Sequence, residues 1–182
     1  EPLSTLRAFW PQVSPDGTKL AFYTEGLVTI PAGRRRTITV LQKGLSISSM
    51  DAFGSQQLAA GPNFAPSWSP HGQQIAYICS WEGYRDGNAN LPGYEYNNGN
   101  LCIINATGGT PRTIIPPGAS STFAEVFPPA WYDETTIVYG GNASHPICPD
   151  QLCYYDLLTN THGRITNTAG DITVFGVDGT NV

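Results

Sequence analysis

The chain is poor in charge: Asp, Glu, Lys and Arg make up only 13% of its 182 residues, and the balance is −5. Gripping nucleic acid takes clustered Lys and Arg that displace counterions from phosphates. The single cluster, Arg34, Arg35 and Arg36, is too small to supply that grip. It reads as the solvated tip of a hairpin, with docking to an acidic partner as the sharper alternative. No run of about 18 apolar residues exists, so nothing in the sequence reads as a membrane-spanning helix. Methionine occurs once, and long helices are absent from the pattern. There is no Gly-x-Ser-x-Gly and there are only three histidines, His71, His145 and His162. A hydrolase would need a nucleophile beside a base, and His71 and His162 fall in expected turns. The chain is therefore expected not to be an enzyme and to need no cofactor. It starts at Glu1 with neither Met nor an apolar leader, which reads as a processed, soluble protein.

What the sequence does have is turns, short apolar runs and paired cysteines. Gly 20 and Pro 15 punctuate runs of Thr, Ile, Val, Tyr and Phe, the composition of many short strands joined by tight turns. Hydrophobic residues reach 40%, enough for a packed core. Four cysteines, Cys79, Cys102, Cys148 and Cys153, accompany two glycosylation sequons at Asn105-Ala106-Thr107 and Asn142-Ala143-Ser144. Together these point to a secreted, extracellular glycoprotein.

An internal repeat sets the fold. Pro11-Gln12-Val13-Ser14-Pro15-Asp16-Gly17 precedes Lys19-Leu20-Ala21-Phe22-Tyr23. Pro66-Ser67-Trp68-Ser69-Pro70-His71-Gly72 precedes Gln74-Ile75-Ala76-Tyr77-Ile78. A worn third copy, Pro129-Ala130-Trp131-Tyr132-Asp133-Glu134, precedes Thr136-Ile137-Val138-Tyr139. Proline presets φ at the start of each turn and glycine accepts a positive φ, so each copy predicts a β-hairpin. A second two-strand unit follows each hairpin, at Leu45–Leu58, Leu101–Ile114 and Leu152–Ile165. Four strands per unit at a period of about 50 to 60 residues match a propeller blade. The expected fold is all-β, with about three blades of four antiparallel strands plus an extra terminal strand. As one domain over 1–182, its blades fall at 9–61, 62–118 and 119–170. Residues 171–182 would open a further blade or serve as an exchanged strand.

On these residues the chain resembles the TolB-like (WD-repeat-like) β-propeller repeat family. Its blades carry a Pro-Ser-Trp-Ser-Pro-Asp-Gly-type hairpin, an Ile-Ala-Phe-type strand, and a strand ending in Asn or Asp before Gly. The copy at Pro66–Ile78 with Leu101–Ile115 is close. The first copy has Gln12 and Val13 for Ser and Trp, and the third has lost its Ser-Pro and Gly. The resemblance implies a fold and little about activity.

Several residues carry sharper expectations. In each of the last two blades one cysteine ends or follows the second strand and the other opens the third, which predicts disulfides Cys79–Cys102 and Cys148–Cys153. His145, Cys148 and Cys153 as zinc ligands would lack a fourth donor, so metal is not expected. The insertion between Ser80 and Asn100 sets Trp81, Tyr84, Tyr94 and Tyr96 among Gly and Asn. It could be a sugar- or protein-binding surface or an ordered, self-packed loop. Asp86, Asn88 and Asn90 faintly follow a calcium loop, but Leu91 stands where its turn glycine belongs. The functional expectation is a non-catalytic extracellular module that self-assembles into an oligomer or filament by strand exchange, with Glu1–Phe9 and Asp171–Val182 as adhesive arms. Alternatives are a lectin-like carbohydrate- or protein-binding propeller, or the propeller portion of a larger enzyme similar to the prolyl oligopeptidases.

Overall fold

Each turn of the repeat reverses the chain, and the β-branched and aromatic runs on either side pair as strands. The computed structural model describes residues 7–31, 36–51, 54–61, 63–79, 97–98, 100–115, 122–123, 129–140, 148 and 151–167. Among the described residues all regular structure is strand. The first sheet holds β1 (Arg7–Val13), β2 (Lys19–Pro31), β3 (Thr37–Ser49) and β4 (Gln56–Ala60), in that order. Next along the chain come β5 (Phe64–Trp68), β6 (Gln74–Cys79), β7 (Asn97–Asn98), β8 (Asn100–Asn105) and β9 (Arg112–Ile115). The last group is β10 (Thr122–Phe123), β11 (Ala130–Trp131), β12 (Thr136–Gly140), β13 (Leu152–Asp156) and β14 (Thr161–Arg164). The second sheet runs β5-β6-β8-β9 and the third β11-β12-β13-β14. These sheets are the three blades, each a meander of antiparallel neighbours. A two-stranded ribbon pairs β7 with β10, a feature the repeat did not predict.

The hairpin turns follow the repeat closely. Gly17 (φ 72°) and Gly72 (φ 68°) occupy equivalent left-handed positions, and their N–H groups donate to Ser14 and Ser69 carbonyls at 2.9 and 2.8 Å. The third turn has no glycine. It is one residue shorter, and the Asp133 carboxylate closes it by accepting from the N–H groups of Thr135 and Thr136, both at 2.7 Å. A bulge also recurs at the start of blades one and two, with Trp10 and Ala65 both at φ 50°.

Strand alternation gives each blade two faces, and the middle blade buries both. Ile75, Tyr77, Cys79, Cys102 and Ile104 pack back against Ala21, Leu45 and Ile47 of blade one. Ala76, Ile78, Leu101 and Ile103 pack forward against Ile137, Tyr139, Cys153 and Tyr155 of blade three. This explains why β6 reads as a continuous apolar run instead of an alternating one.

A tryptophan pins the second and the third blade to the one before it. The Trp68 indole N–H donates to the Gln12 carbonyl at 2.9 Å. The Trp131 indole N–H donates to the Ser67 carbonyl at 3.0 Å. Gln12 and Ser67 hold the same position in the repeat, so this is one contact made twice.

The cysteines also follow the register. Ser46, Cys102 and Cys153 stand opposite Phe22, Tyr77 and Tyr139 in their respective blades. Cys102 bonds to Cys79 and Cys153 to Cys148, with Cα separations of 5.8 and 6.1 Å. Ser46 instead meets the Thr24 hydroxyl at 3.2 Å. Blade one therefore has a hydrogen bond where the other two have covalent links.

Replacing Trp68 or Trp131 by Phe keeps an aromatic ring and deletes the indole donor. Each change should lower stability by about 1 to 3 kcal/mol, from the orphaned carbonyl and the smaller ring. Urea unfolding measures this, and wild-type midpoints in both variants would show that the indole contact contributes nothing.

Candidate interaction surface

The first blade differs from the other two where a preceding blade would sit. At the tryptophan position it has Val13, which is 55% exposed, whereas Trp68 and Trp131 are 8% and 7% exposed. The rest of this back face carries Phe22, Thr24, Ser46 and Ser48 where blade two has Tyr77, Cys79, Cys102 and Ile104. Thr24 donates its hydroxyl to the Gly44 carbonyl at 3.1 Å and also meets Ser46, so these polar groups are satisfied within the sheet. Phe22, Thr24 and Ser46 are nevertheless buried, at 8%, 4% and 2% exposed.

The strand beside that face is not polar. All seven residues of β1 are exposed, among them Phe9, Trp10 and Val13. Phe9, Trp10 and Tyr23 form a ring cluster with centroids 6.0 to 6.1 Å apart. The described part of the expected N-terminal arm is thus no free tail: Arg7, Ala8 and Phe9 pair with Glu25, Thr24 and Tyr23. Residues 1–6 and 171–182 lie outside the described residues.

Among the described residues, the β2–β3 pair extends as an arm. β2 and β3 stay paired from Lys19↔Ser49 to Pro31↔Thr37. β1 accompanies them only to Glu25, and β4 only to Gly44. The ribbon from Gly26↔Gln42 onward has no further strand beside it among the described residues and extends about 20 Å at the usual rise per residue. A cross-strand ion pair, Lys43 to Glu25 at 3.0 Å, marks its base. Leu27 faces Leu41 across the ribbon, Val28 faces Val40, and the Thr29 and Thr39 hydroxyls meet at 3.3 Å. Leu27 and Leu41 are 51% and 57% exposed. An open groove of about 480 Å³ lies beside the base, lined by Val28, Val40, Leu41, Lys43 and Gln57. Sequence reading placed a hairpin tip at the arginines, of which Arg34 and Arg35 lie outside the described residues, but missed the arm's length. The signal was there in the alternating Leu27–Ile30 and Ile38–Leu41 runs on either side of the triplet.

Two of the histidines, His71 and His162, fall among the described residues. His71, at the second hairpin turn, lies 2.9 Å through Nδ1 from Glu134 at the third, and its backbone N–H donates to the same carboxylate oxygen. His162 is in strand β14 opposite Tyr155 and not in a turn, which corrects the expectation: the chain turns earlier, where Asp156 accepts from Leu158 and Thr159. Burial pushes the Tyr77 hydroxyl up to about 12. Tyr139 moves the same way, through burial and then the neighbouring Tyr155. Two turn carboxylates move down. Asp16 falls to about 2 because the Ser14 hydroxyl, then the Thr18 N–H and hydroxyl, donate to it. Burial pushes Asp133 up, but hydrogen bonds from Thr135 and Thr136 outweigh it and leave it below its ordinary value.

Of the two sequons, Asn105 is exposed at the end of β8, where its carbonyl accepts from Gly108 in a tight turn. Asn142 lies outside the described residues, as do Trp81, Tyr84, Tyr94, Tyr96, His145 and the Asp86-Asn88-Asn90 run. Cys148 and Cys153 are joined to each other, which excludes them as thiolate ligands.

Neither a protein-family model nor a curated protein sequence matches the chain. Among solved structures, TolB from Acinetobacter baumannii superimposes on 98% of the chain with a TM-score of 0.61 and 12% identity. A puromycin-hydrolysing peptidase from Mycobacterium tuberculosis covers 90% with a TM-score of 0.59 and 20% identity. The AtxE2 isopeptidase covers 90% with a TM-score of 0.56 and 15% identity. The chain spans 36%, 24% and 31% of these three proteins. Identities this low speak for fold alone: the chain is built of TolB-like β-propeller blades.

The turn carboxylates predict the acid limb of stability. Both bind protons less tightly folded than unfolded, so between the ordinary carboxylate value of about 4 and the lowered one the unfolded chain holds more protons, and stability rises with pH. Their contribution is complete above about pH 4 and is lost as pH falls through the folded values. In an Asp16→Asn, Asp133→Asn variant, the urea midpoint should depend less steeply on pH across this window than in the wild type. An unchanged slope would assign acid sensitivity to other groups.

Proposed function

We propose that the chain is a non-catalytic interaction module of the extracellular space that associates with copies of itself through open strands, forming an oligomer or filament. The supporting observation is made of the described residues: three blades follow one another there without closing, and the first carries the exposed, aromatic-bearing edge of β1. Propellers remove such edges by closing with four to eight blades. An unclosed stack gains partners for its edge backbone groups when another chain adds a strand. Two disulfides support an oxidising compartment, since such bonds persist outside the cytosol. The exposed Asn105 at a strand end fits a glycan-bearing position there.

A second reading has its own support. Two of the three similar structures are peptidases more than three times as long as the matching region. This chain would then be the propeller portion of a larger enzyme, with the catalytic domain outside this sequence.

Sedimentation velocity over a wide range of protein concentration separates the two. Self-association predicts a mass that grows with concentration, and a monomer at every concentration would refute it. In protein from the native source, enzymatic removal of N-linked sugars should lower the mass of the peptide containing Asn105. An unmodified Asn105 would remove the glycoprotein part of the reading.

A further inference from the structure

The direction of the free backbone groups along the arm is fixed by two hydrogen bonds at its base. One step beyond the Lys19↔Ser49 pair, the Met50 N–H donates to the Thr18 carbonyl at 2.9 Å, so even-numbered residues of β3 turn their backbone groups toward β2. The Lys43 carbonyl accepts instead from the Gly61 N–H at 3.0 Å, on the side of β4, so odd-numbered residues turn theirs outward. No register shift interrupts the pairing of β2 with β3, and the alternation therefore carries through to the end of the strand. Toward the tip from Lys43, the outward-facing residues are Leu41, Thr39 and Thr37.

β4 does not cover them. It pairs with β3 only as far as Gly44, and the chain then leaves for the second sheet. Gly61 takes φ 99°, the Asn63 side-chain amide donates to the Ala59 and Ala60 carbonyls, both at 3.1 Å, and Phe64 opens β5. Among the described residues no strand stands on this side of Thr37–Gln42. The groove lined by Val40, Leu41, Gln42 and Lys43, with Ala60 and Gly61, lies where β4 turns away. Edge strands are ordinarily blunted by charge, proline or a bulge. Thr37-Ile38-Thr39-Val40-Leu41-Gln42 has none of these, and Ile38 and Leu41 are 49% and 57% exposed.

We infer that this edge of β3 pairs antiparallel with the same edge of a second copy, about a two-fold axis at Thr39. The inference rests on the self-association reading and names the strand and register responsible. A second copy is the occupant because the edge complements itself. With Thr39 opposite Thr39, each Thr37 stands opposite the other copy's Leu41, so every outward-facing residue meets another and about six backbone hydrogen bonds form. Ile38 then falls opposite the other copy's Val40, at positions where cross-strand side chains lie closest. All of Thr37–Leu41 is uncharged, so no like charges oppose each other within the paired stretch. A slip of one residue would set outward groups against inward ones, and a register moved further toward the blades would need the Lys43 carbonyl, which already accepts from Gly61. Two ribbons that are each marginal alone become one four-stranded sheet. The contact uses one patch twice, so it closes at a dimer, and growth beyond two copies needs a second contact.

Because Thr39 lies on the axis, a charge placed there meets its own copy. The residue is exposed, so its replacement leaves the blades folded, which circular dichroism checks. In sedimentation velocity, Thr39→Lys and Thr39→Glu should each associate on the order of tenfold more weakly than wild type, since like charges then stand opposite each other. An equimolar mixture of the two variants should regain at least wild-type association, because opposite charges now face across the axis. If the wild type associates and both variants match it, this edge is not the joint although self-association stands. If both variants are weakened and the mixture is no better than either alone, the edge pairs with some other strand and the two-fold register is wrong. A monomeric wild type overturns both readings.

Discussion

The indole hydrogen bond from one blade to the backbone of the preceding one is the contact on which the stack depends. The middle blade by itself is a four-stranded sheet with two apolar faces and no means of hiding either. The bond fixes the spacing and rotation at which the next blade covers one of them. Because Trp68 reaches Gln12 and Trp131 reaches Ser67, equivalent points of the repeat, the two interfaces share one geometry. Alone the bond is worth only about 1 kcal/mol. Its effect is to align the packing of Ile75, Tyr77 and Cys79 in one interface and of Ile137, Tyr139 and Cys153 in the other.

Loss of this contact at the first blade changes what that blade can be. Val13 offers no donor, and the face behind it carries Thr24, Ser46 and Ser48, whose equivalents in blade two are cysteine or isoleucine. For the self-association proposed, the open apolar features among the described residues are the rim of β1 and the β2–β3 arm. This separates two kinds of contact that the sequence reading had joined: blades stacked within a chain, and strands offered between chains.

The hairpins were legible in the sequence because their turn residues act locally. Proline, aspartate and glycine bend the chain by restrictions that need no tertiary context, and even the worn third copy, with Asp133 in place of glycine, formed β11 and β12. The cysteine pairs were legible through strand order. The indole contacts were not, since donor and acceptor lie 56 and 64 residues apart and one partner is a carbonyl that any residue supplies. His162 was misplaced because a Thr-rich segment with glycine reads as a turn until the register with Tyr155 is known. The arm was half seen: its tip was marked by arginines, but nothing local says that β1 and β4 stop at Glu25 and Gly44 while β2 and β3 continue.

Amide hydrogen exchange at increasing protein concentration tests the central claim most directly, that the middle blade, packed on both faces, is the fixed part of the stack while open strands join copies. The account predicts that β6 and β8 exchange slowest at every concentration. It also predicts that amides of Gly26–Ile30 and Ile38–Gln42 exchange fast in dilute protein and slow down as copies associate. Arm amides that remain fast in the associated state, or β6 and β8 amides that exchange as readily as the arm, would contradict it.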